Sequence, residues 1–134
     1  MGFKTVFKRY EIKYLMSHEQ KKLILAAMEP YMALDEYGRT TIRNIYFDTD
    51  TFRLIRDSIE KPKYKEKLRI RSYGIATPES TVFVELKKKY NSVVYKRRLS
   101  LPEQDAMAWV CDRVPCPKQK QITREIEYFL DYYE

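Results

Sequence analysis

The sequence predicts an α+β domain built on an antiparallel β-sheet, and three observations lead to that fold class. Three segments rich in apolar and β-branched residues, roughly 64–73, 81–89 and 92–101, follow one another closely along the chain. Asn91 and Ser92 provide a tight turn between the last two segments, which makes them a hairpin. Segments with helical spacing of apolar residues lie outside this run of strands, which favours α+β over a parallel α/β sheet.

The amino-terminal part of the chain predicts a strand followed by a helix. Residues 3–15 are rich in aromatic and β-branched residues and alternate weakly, so we expect the first strand there. Ser17 stands three residues before Gln20, the spacing of a capping box, so a helix should begin at this point. Its apolar residues at helical intervals are Leu23, Ile24, Ala27 and Met28. Pro30 should end this helix.

A second strand and a short helix are predicted before the three consecutive strands. Residues 40–48 form the strand. Asp50 or Thr51 is placed to cap the helix, which should end before Pro62.

After the strands the sequence is helical again. We expect a helix from Pro102 onward with Met107, Trp109 and Val110 as its apolar contacts, a break at residues 114–119, and an amphipathic helix over residues 122–133. The length of 134 residues and 44% hydrophobic content suit one domain with a core.

Positive charge is concentrated in one part of the chain. The 26 Lys and Arg against 19 Asp and Glu give a net charge of +7, but residues 61–99 alone hold 12 basic and 3 acidic residues. The rest of the chain is therefore slightly acidic. A local excess of this kind attracts a polyanion, so we expect a partner with several negative charges.

The cysteines and the hydropathy indicate a reduced, cytoplasmic protein. Cys111 and Cys116 are close enough in sequence for a disulfide, but two cysteines make a weak secreted framework, and we expect reduced structural thiols. His18 is the only histidine and is distant from both in the sequence, which argues against a zinc site. No signal peptide is evident, and no apolar run approaches the ~20 residues of a membrane span.

Strand alternation assigns the charges to one face of the sheet. The predicted cationic side consists of Lys65, Lys67, Arg69 and Arg71, then Phe83, Glu85, Lys87 and Lys89, then Val94, Lys96, Arg98 and Ser100. The apolar side includes Leu68, Ile70, Val82, Val84, Leu86, Val93, Tyr95, Leu99 and Leu101. Arg97 interrupts the apolar side, which places it near a strand end. The first strand offers the same alternation through Arg9, Glu11 and Lys13.

Such a face has two interpretations. A solvated face of an antiparallel sheet also carries charge, but it usually mixes signs, since like charges across a strand pair are unfavourable. Within the three strands Glu85 is the only acid on this side, so we favour anion binding. Residues two apart on a strand are ~6.6 Å apart, a spacing at which cations can follow successive phosphates. Glu85 and Glu11 either hold a divalent metal or pair with neighbouring cations, and pairing is the favoured role.

Four sequence stretches resemble a known family. YEIKYLMS, IRNIYFDTDTF, KEKLRIRSYG and VFVELKKKYNSVVYKRR, in this order, resemble the amino-terminal half of the VTC domain. That family belongs to the triphosphate tunnel metalloenzymes, which include the CYTH proteins. The resemblance implies an antiparallel β-barrel whose tunnel is lined by Lys and Arg. It also implies a polyphosphate polymerase, a phosphotransferase that moves the terminal phosphate of ATP to a polyphosphate chain with Mn²⁺ or Mg²⁺.

The resemblance also implies roles for individual residues. Catalytic roles fall on Lys13, Arg69, Arg71 and Lys87. Polyphosphate binding falls on Lys13, Arg69, Arg71, Lys87, Lys96 and Arg98, and strand alternation adds Lys67 to this set. Glu85 matches the tunnel glutamate of the family. Glu85 and Glu11 are the carboxylates that strand alternation places on the face, and they are the candidate metal ligands.

Two departures from the family pattern qualify these expectations. The CYTH signature ExExK is replaced by RYEIK, with Arg9 at the first Glu position, which favours VTC-like over CYTH-like chemistry. The sequence also stops at Glu134, where the family continues into a second half that supplies further arginines, a lysine and a metal-binding glutamate. We therefore expect residues 1–134 to form a single partial domain, either a fragment or a homodimer in which two copies complete the tunnel. The resemblance does not imply that this half is active alone.

Two other functions remain open. A non-catalytic polyphosphate-binding module would use the same cations without a metal. An RNA-binding sheet is the alternative from another class, with bases stacking on Tyr64, Tyr73, Tyr90 and Tyr95. We expect those tyrosines not to share one face with the arginine pairs, and no RRM signature occurs, so nucleic acid is disfavoured.

Overall fold

The computed structural model describes Gly2 and residues 5–134, apart from the side chain of Arg9. The elements are β1 (Val6–Tyr10), α1 (His18–Met28), β2 (Ile42–Phe47), α2 (Arg53–Ile59), β3 (Tyr64–Tyr73), β4 (Thr81–Tyr90), β5 (Val93–Pro102), α3 (Glu103–Asp112) and α4 (Gln121–Tyr132). All strand pairs are antiparallel, in the order β1-β5-β4-β3-β2. The α+β prediction is confirmed. The sheet is not closed, because β1 and β2 lie at its two edges, and this is consistent with half a barrel.

The three long strands form the centre of the sheet, as predicted. Asn91 and Ser92 connect β4 to β5, and both have positive φ angles, of 44° and 67°. A two-residue turn with positive φ at both positions matches the twist of the strands that it joins. This turn fixes the register, so that Lys87 lies opposite Lys96 and Glu85 opposite Arg98.

One face of the sheet is covered by helices and holds the hydrophobic core. The core consists of Leu54, Leu68, Ile70, Val82, Val84, Leu86, Leu99 and Leu101, with Ala106, Trp109, Val110, Cys116, Ile122, Ile126 and Phe129 from the carboxyl-terminal segment. The apolar sides predicted for β3 and β4 are confirmed. Burial of this surface is the main stabilising term of the fold. Helices α3 and α4 thus leave the opposite, charged face open.

One assignment in β5 is wrong. Arg97 lies in the middle of the strand, not near an end, and its Nε is 3.3 Å from Oε2 of Glu125 on α4. The helix that covers this face supplies the carboxylate, so a basic residue is tolerated in mid-strand. Tyr95 lies on the predicted side of the strand with Leu99 and Leu101, but it is 40% exposed, and the ammonium of Lys8 lies 5.7 Å from its ring centroid.

The first strand is shorter than predicted. Strand β1 ends at Tyr10, which pairs with Val93, the first residue of β5. Beyond this point the edge strand has no partner, so residues 11–15 leave the sheet. The predicted strand also included Phe3, which lies outside the described residues.

The capping box predicted for α1 is confirmed, but the packing of that helix is not. Gln20 N donates to Ser17 Oγ at 3.2 Å, and Ser17 N donates to Gln20 Oε1 at 2.8 Å. The helix ends at Met28, before Pro30, as expected. Its apolar residues are not buried, and Leu23 is 72% exposed.

The predicted cap of α2 is wrong. The helix begins after Phe52, which has a left-handed φ of 56°, and neither Asp50 nor Thr51 caps it. Asp48 takes that role from the end of β2. Its Oδ1 accepts from Leu54 N at 2.8 Å, and its Oδ2 accepts from Ile55 N at 3.0 Å.

Both cysteines are free thiols, as expected, with Cys111 exposed and Cys116 buried in the core. Across the described part of the chain, no helix has the length and apolar character needed to cross a membrane.

Candidate functional site

The charged face of the sheet gathers the predicted site residues on one surface. This cationic face consists of Lys65, Lys67, Arg69, Arg71, Lys87, Lys89, Lys96 and Arg98, with Lys13 and Glu11 from the segment after β1 and Glu85 at its centre. Nine cations and two carboxylates give these described side chains an excess of seven positive charges. Arg9 was predicted here too, but its side chain lies outside the described part of the chain.

The register orders the charges in four rows across the three central strands. From one end to the other the rows are Arg71–Phe83–Ser100, Arg69–Glu85–Arg98, Lys67–Lys87–Lys96 and Lys65–Lys89–Val94. Rows two residues apart are ~6.6 Å from each other, so the four rows span about 20 Å. Such a length suits an extended ligand.

The cationic face is concave. Two adjoining hollows of about 330 Å³ and about 350 Å³ lie on it. Both are lined by Tyr46 from edge strand β2 and by Lys13 from the segment after the opposite edge strand. The second hollow is also lined by Phe7 of edge strand β1, so side chains from both edge strands border one concave space and the sheet curls. We call the two hollows together the groove.

Glu85 lies at the centre of the cationic face and is fully buried. Four cationic nitrogens lie around its carboxylate, namely Arg69 Nε at 3.4 Å, Arg71 Nε at 3.5 Å, Lys96 Nζ at 3.3 Å and Arg98 Nη2 at 3.5 Å. Burial would raise the pKa of Glu85, but these four charges outweigh it and lower the pKa. The carboxylate therefore stays ionised and lets four cations share one surface.

The contacts of Glu85 with the cations are ion pairs without the alignment of hydrogen bonds. Its distances to the cations exceed the ~2.7–2.9 Å of close charge-assisted hydrogen bonds. Among the described residues, none makes a well-aligned hydrogen bond to either carboxylate oxygen. The guanidinium groups of the face are oriented by other partners.

Uncharged side chains hold the three arginines of the face. Arg69 Nη1 donates to Tyr46 Oη at 2.8 Å, Arg71 Nε donates to Asn44 Oδ1 at 2.9 Å, and Arg98 Nη2 donates to Tyr73 Oη at 3.1 Å. Neutral acceptors use one N–H of each guanidinium without reducing the positive charge. The planes of the arginines are thereby fixed.

These polar partners were missed at the level of sequence. Alternation in IRNIYF places Asn44 and Tyr46 on one side of β2, but only the register Asn44–Arg71 and Tyr46–Arg69 shows which side that is. Tyr73 has the same parity as Arg69 and Arg71, so the expectation that the tyrosines lie apart from the arginines is wrong for this residue.

Positive charge also changes the acidity of both tyrosines. Burial would raise the pKa of Tyr46, but the hydrogen bond from Arg69 and the charges of Arg69, Arg71 and Lys67 lower it. Burial likewise opposes the shift at Tyr73, whose pKa is lowered by hydrogen bonds from Arg98 and Arg71. At both phenols the nearby positive charge therefore outweighs the effect of burial.

The other end of the groove is rich in lysine. Lys87 Nζ donates to Glu11 Oε2 at 3.1 Å, and this hydrogen bond is the main reason for the lowered pKa of Glu11. Lys13 Nζ lies 3.6 Å from Glu11 Oε1. Partial burial and the charges of nearby lysines lower the pKa of Lys65. Like charges therefore crowd this end.

Two aromatic rings border the cations. Lys96 Nζ lies 4.1 Å from the ring centroid of Phe7, and Arg98 Cζ lies 4.2 Å from that of Phe83. Both are cation–π distances. The two rings therefore lie directly against the charged groups of Lys96 and Arg98.

The carboxylates of the face do not by themselves fit a divalent metal ion. Both oxygens of Glu85 lie among four cations, which a metal would have to displace, and Glu11 is bonded to Lys87. The described residues contain no cluster of three or more His, Cys, Asp or Glu side chains. A metal-ligand role for Glu85 and Glu11 stays a prediction that their surroundings disfavour.

A family model described as the VTC domain matches residues 8–130, nearly the whole chain. Neither the search of curated proteins nor the search of solved structures returned a match.

Proposed function

This chain belongs to the VTC domain family, and from the charge and curvature of its cationic face we propose that the groove binds a linear condensed phosphate. The ligand class includes polyphosphate and the triphosphate of a nucleotide such as ATP. Family membership supports a polyphosphate-related role. The observation that carries the proposal is the excess of seven positive charges on one concave surface.

The energetics favour a polyanion over a single phosphate. Each charge-assisted hydrogen bond contributes roughly 1.5–3 kcal/mol, and the rows offer such contacts over about 20 Å. A half-enclosed groove also lowers the local dielectric, which strengthens each contact. A ligand that spans several rows gains from all of them at a single cost in association entropy.

In a phosphotransferase, the same residues would act by positioning and neutralising phosphate. Lys13, Arg69, Arg71 and Lys87 would hold phosphoryl oxygens and offset the charge that develops on them during transfer. Since the carboxylates of the face do not fit a metal, we derive no metal-dependent step for this chain. Polymerase activity from ATP in the intact domain is part of the proposal, and binding without turnover is the second candidate.

The proposal is tested by titration with polyphosphate. Lys67→Gln combined with Lys87→Gln removes two charges from the groove, and we expect affinity to fall at least tenfold, which corresponds to about 1.4 kcal/mol. Arg43→Gln with Arg124→Gln is the matched control, since both arginines are exposed and lie off the cationic face. Equal effects of the two pairs would contradict the assignment.

Competition with RNA of matched charge distinguishes a phosphate-binding groove from a general basic surface. We expect the RNA to displace polyphosphate poorly, because strand alternation puts Tyr64, Tyr90 and Tyr95 on the side of the sheet opposite the arginines. Of the four tyrosines, Tyr73 alone shares the face of the arginines. Displacement by RNA at equal charge concentration would favour nucleic-acid binding. Product formation from ATP, followed by gel analysis, separates turnover from binding alone.

A further inference from the structure

We propose that the groove has two unlike subsites, an arginine end that fixes the terminal phosphate of a chain and a lysine end that holds internal phosphates by charge alone. The arginine end is Arg69 and Arg71, which line the groove, together with Arg98, which lies beside them across Glu85. The lysine end is Lys65, Lys67, Lys87 and Lys89. The inference rests on the proposed function and adds the direction in which the chain lies.

The register separates the two kinds of cation. All three arginines of the described cationic face lie in the two rows that contain Phe83 and Glu85. The next two rows contain Lys87 and Lys89 and no arginine. Lys96 stands at the border, with its ammonium 3.3 Å from Glu85 Oε2. Arginine and lysine are thus sorted along the strand direction, which is also the long direction of the groove.

The arginine end is held rigidly. Each guanidinium has an uncharged acceptor, provided by Tyr46, Asn44 or Tyr73, and each lies beside the buried Glu85 carboxylate. The side chains of Arg69, Arg71 and Arg98 are only 9%, 17% and 11% exposed. Fixed guanidinium planes offer paired N–H donors in a set direction, which recognise phosphate oxygens by geometry as well as charge.

The lysine end lacks this geometric definition. An ammonium is a point charge on a flexible stem, and the Lys87 side chain is 26% exposed. Lys65 reaches out of the sheet to Ser58 Oγ on α2 at 3.3 Å. Partial burial and the positive charges of neighbouring lysines both lower the pKa of Lys65. A bound anion would offset the repulsion among these lysines. This end therefore attracts negative charge without fixing the position of any one phosphate.

Terminal and internal phosphates differ in their number of free oxygens and in their charge, and the arginine end and the lysine end of the groove respond differently to these two properties. A terminal phosphoryl group presents three oxygens and roughly 1.5–2 negative charges near neutral pH, as a phosphomonoester does. An internal one presents two oxygens and one charge. Rigid forked donors gain most from the terminal group, whereas point charges bind both kinds alike. The chain end therefore belongs at Arg69, Arg71 and Arg98, and the chain body runs over the lysines.

Exchanges that conserve charge test this division. Arg69→Lys with Arg98→Lys alters geometry at the arginine end, and Lys67→Arg with Lys87→Arg does so at the lysine end. The probes are tripolyphosphate, in which two of three phosphates are terminal, and polyphosphate of about one hundred units, which is almost all internal. We expect the arginine exchange to weaken tripolyphosphate about tenfold or more, a loss of about 1.4 kcal/mol. The arginine exchange should lower the affinity for long polyphosphate less than threefold. The lysine exchange should change the affinity for either ligand less than threefold.

A second variant with a smaller change tests the division in case the double arginine exchange impairs folding. Tyr46→Phe retains the ring and every charge but removes the acceptor of Arg69, so it should weaken tripolyphosphate selectively in the same direction. Equal loss for both ligands in either arginine-end variant would overturn the division while leaving the proposed function standing. Unchanged tripolyphosphate affinity in both variants would overturn it as well. If the unaltered protein bound neither phosphate, the proposed function and the division would fall together.

Discussion

Four cationic nitrogens lie within 3.5 Å of the Glu85 carboxylate, and this contact determines how a face with so much positive charge can fold. Like charges on neighbouring strands repel, and the repulsion is greatest where burial removes water. Glu85 offsets one charge of the cluster and lies near all four. The remaining positive charge is what an anionic ligand would neutralise.

Replacing Glu85 by glutamine should therefore destabilise the fold. Glu85→Gln keeps the volume but leaves buried cations without their counter-charge, and we expect a loss of about 3–5 kcal/mol in the free energy of unfolding. Tripolyphosphate should restore more stability to this variant than to the unaltered protein, because the ligand supplies the missing negative charge. Urea unfolding with and without tripolyphosphate measures both effects.

Glu125→Gln is the matched control on the helix-covered face. Glu125 pairs with Arg97, but its side chain is 28% exposed, so its removal should cost only about 0–1 kcal/mol. A Glu85→Gln variant no less stable than Glu125→Gln would show that the cations do not need the carboxylate.

Tyr46 offers an optical readout of the groove. Burial would raise its pKa, but the hydrogen bond and charge of Arg69 bring the pKa below the ordinary 10.0, with Arg71 and Lys67 adding to the effect. In an alkaline absorbance titration we expect early-ionising tyrosine, and Tyr46→Phe should remove part of that phase. Polyphosphate should move the phase to higher pH, since it neutralises the cations that stabilise the phenolate.

Tyr31→Phe serves as the comparison, since Tyr31 is 87% exposed. An early phase that survives Tyr46→Phe unchanged, or that ignores polyphosphate, would contradict the contact between Tyr46 and the arginine.

Individual elements differ in how far their sequences define them. In β3 and β4 a two-residue alternation suffices, since Leu68 and Ile70 of β3 and residues 83–90 of β4 lie between two neighbouring strands, and the predicted faces hold. In the edge strand β1 the end is set by its partner, because pairing stops at Val93 of β5. No pattern within residues 3–15 reveals this limit. Arg97 likewise depends on Glu125, a residue distant in sequence.

The short segment from Tyr46 to Asp48 shows one element serving three roles. Tyr46 orients Arg69 in the groove, Phe47 packs against the core, and Asp48 accepts hydrogen bonds from the first turn of α2. Composition suggested a strand followed by a helix. It did not suggest that the strand end caps the helix, because the cap acts across the intervening turn.

Asp48→Ala should remove that cap. Loss of an acceptor at a helix start costs about 0.5–2 kcal/mol in the free energy of unfolding. Burial opposes the shift, but bonds from Leu54, Ile55 and Thr49 N–H groups hold the pKa of Asp48 below 3.8. The stabilisation by the carboxylate is therefore present above about pH 3.8 and is lost as the pH falls through the lowered pKa.

Urea unfolding at pH 7 and near pH 3 measures the effect of Asp48→Ala. We expect the difference from the unaltered protein to shrink at the lower pH. Asp50→Ala, two residues away and exposed, is the control and should be near neutral. A difference that is the same at both pH values would contradict the ionised cap.

At the scale of the whole molecule, strand alternation predicts the charged face but not its curvature, which only the family resemblance implied. Period-two alternation depends only on backbone geometry, so Arg69, Arg71 and Lys87 were assigned to one surface from the sequence. Curling of the sheet depends on the twist summed over five strands, and it brings Phe7 and Tyr46 from opposite edge strands to one hollow. The arginine partners Asn44 and Tyr46 depend on the register between β2 and β3, which the sequence pattern does not define.

Burial is distributed unequally over the molecule, and this leads to a prediction about its stability. Helix α1 has no buried residue, and Leu23 is 72% exposed, whereas Leu86 in β4 is 1% exposed and belongs to the core. Leu86→Ala should cost about 2–5 kcal/mol in the free energy of unfolding, because it removes buried methyl groups and leaves a cavity. Leu23→Ala should stay within about 0.5 kcal/mol, since it removes no buried contact and alanine favours helix. Native-state hydrogen exchange should agree, with amides of α1 exchanging through openings of low free energy and those of β4 only near global unfolding. A cost for Leu23→Ala that approached that of Leu86→Ala would show that α1 packs on the protein in solution and that its apolar face is covered.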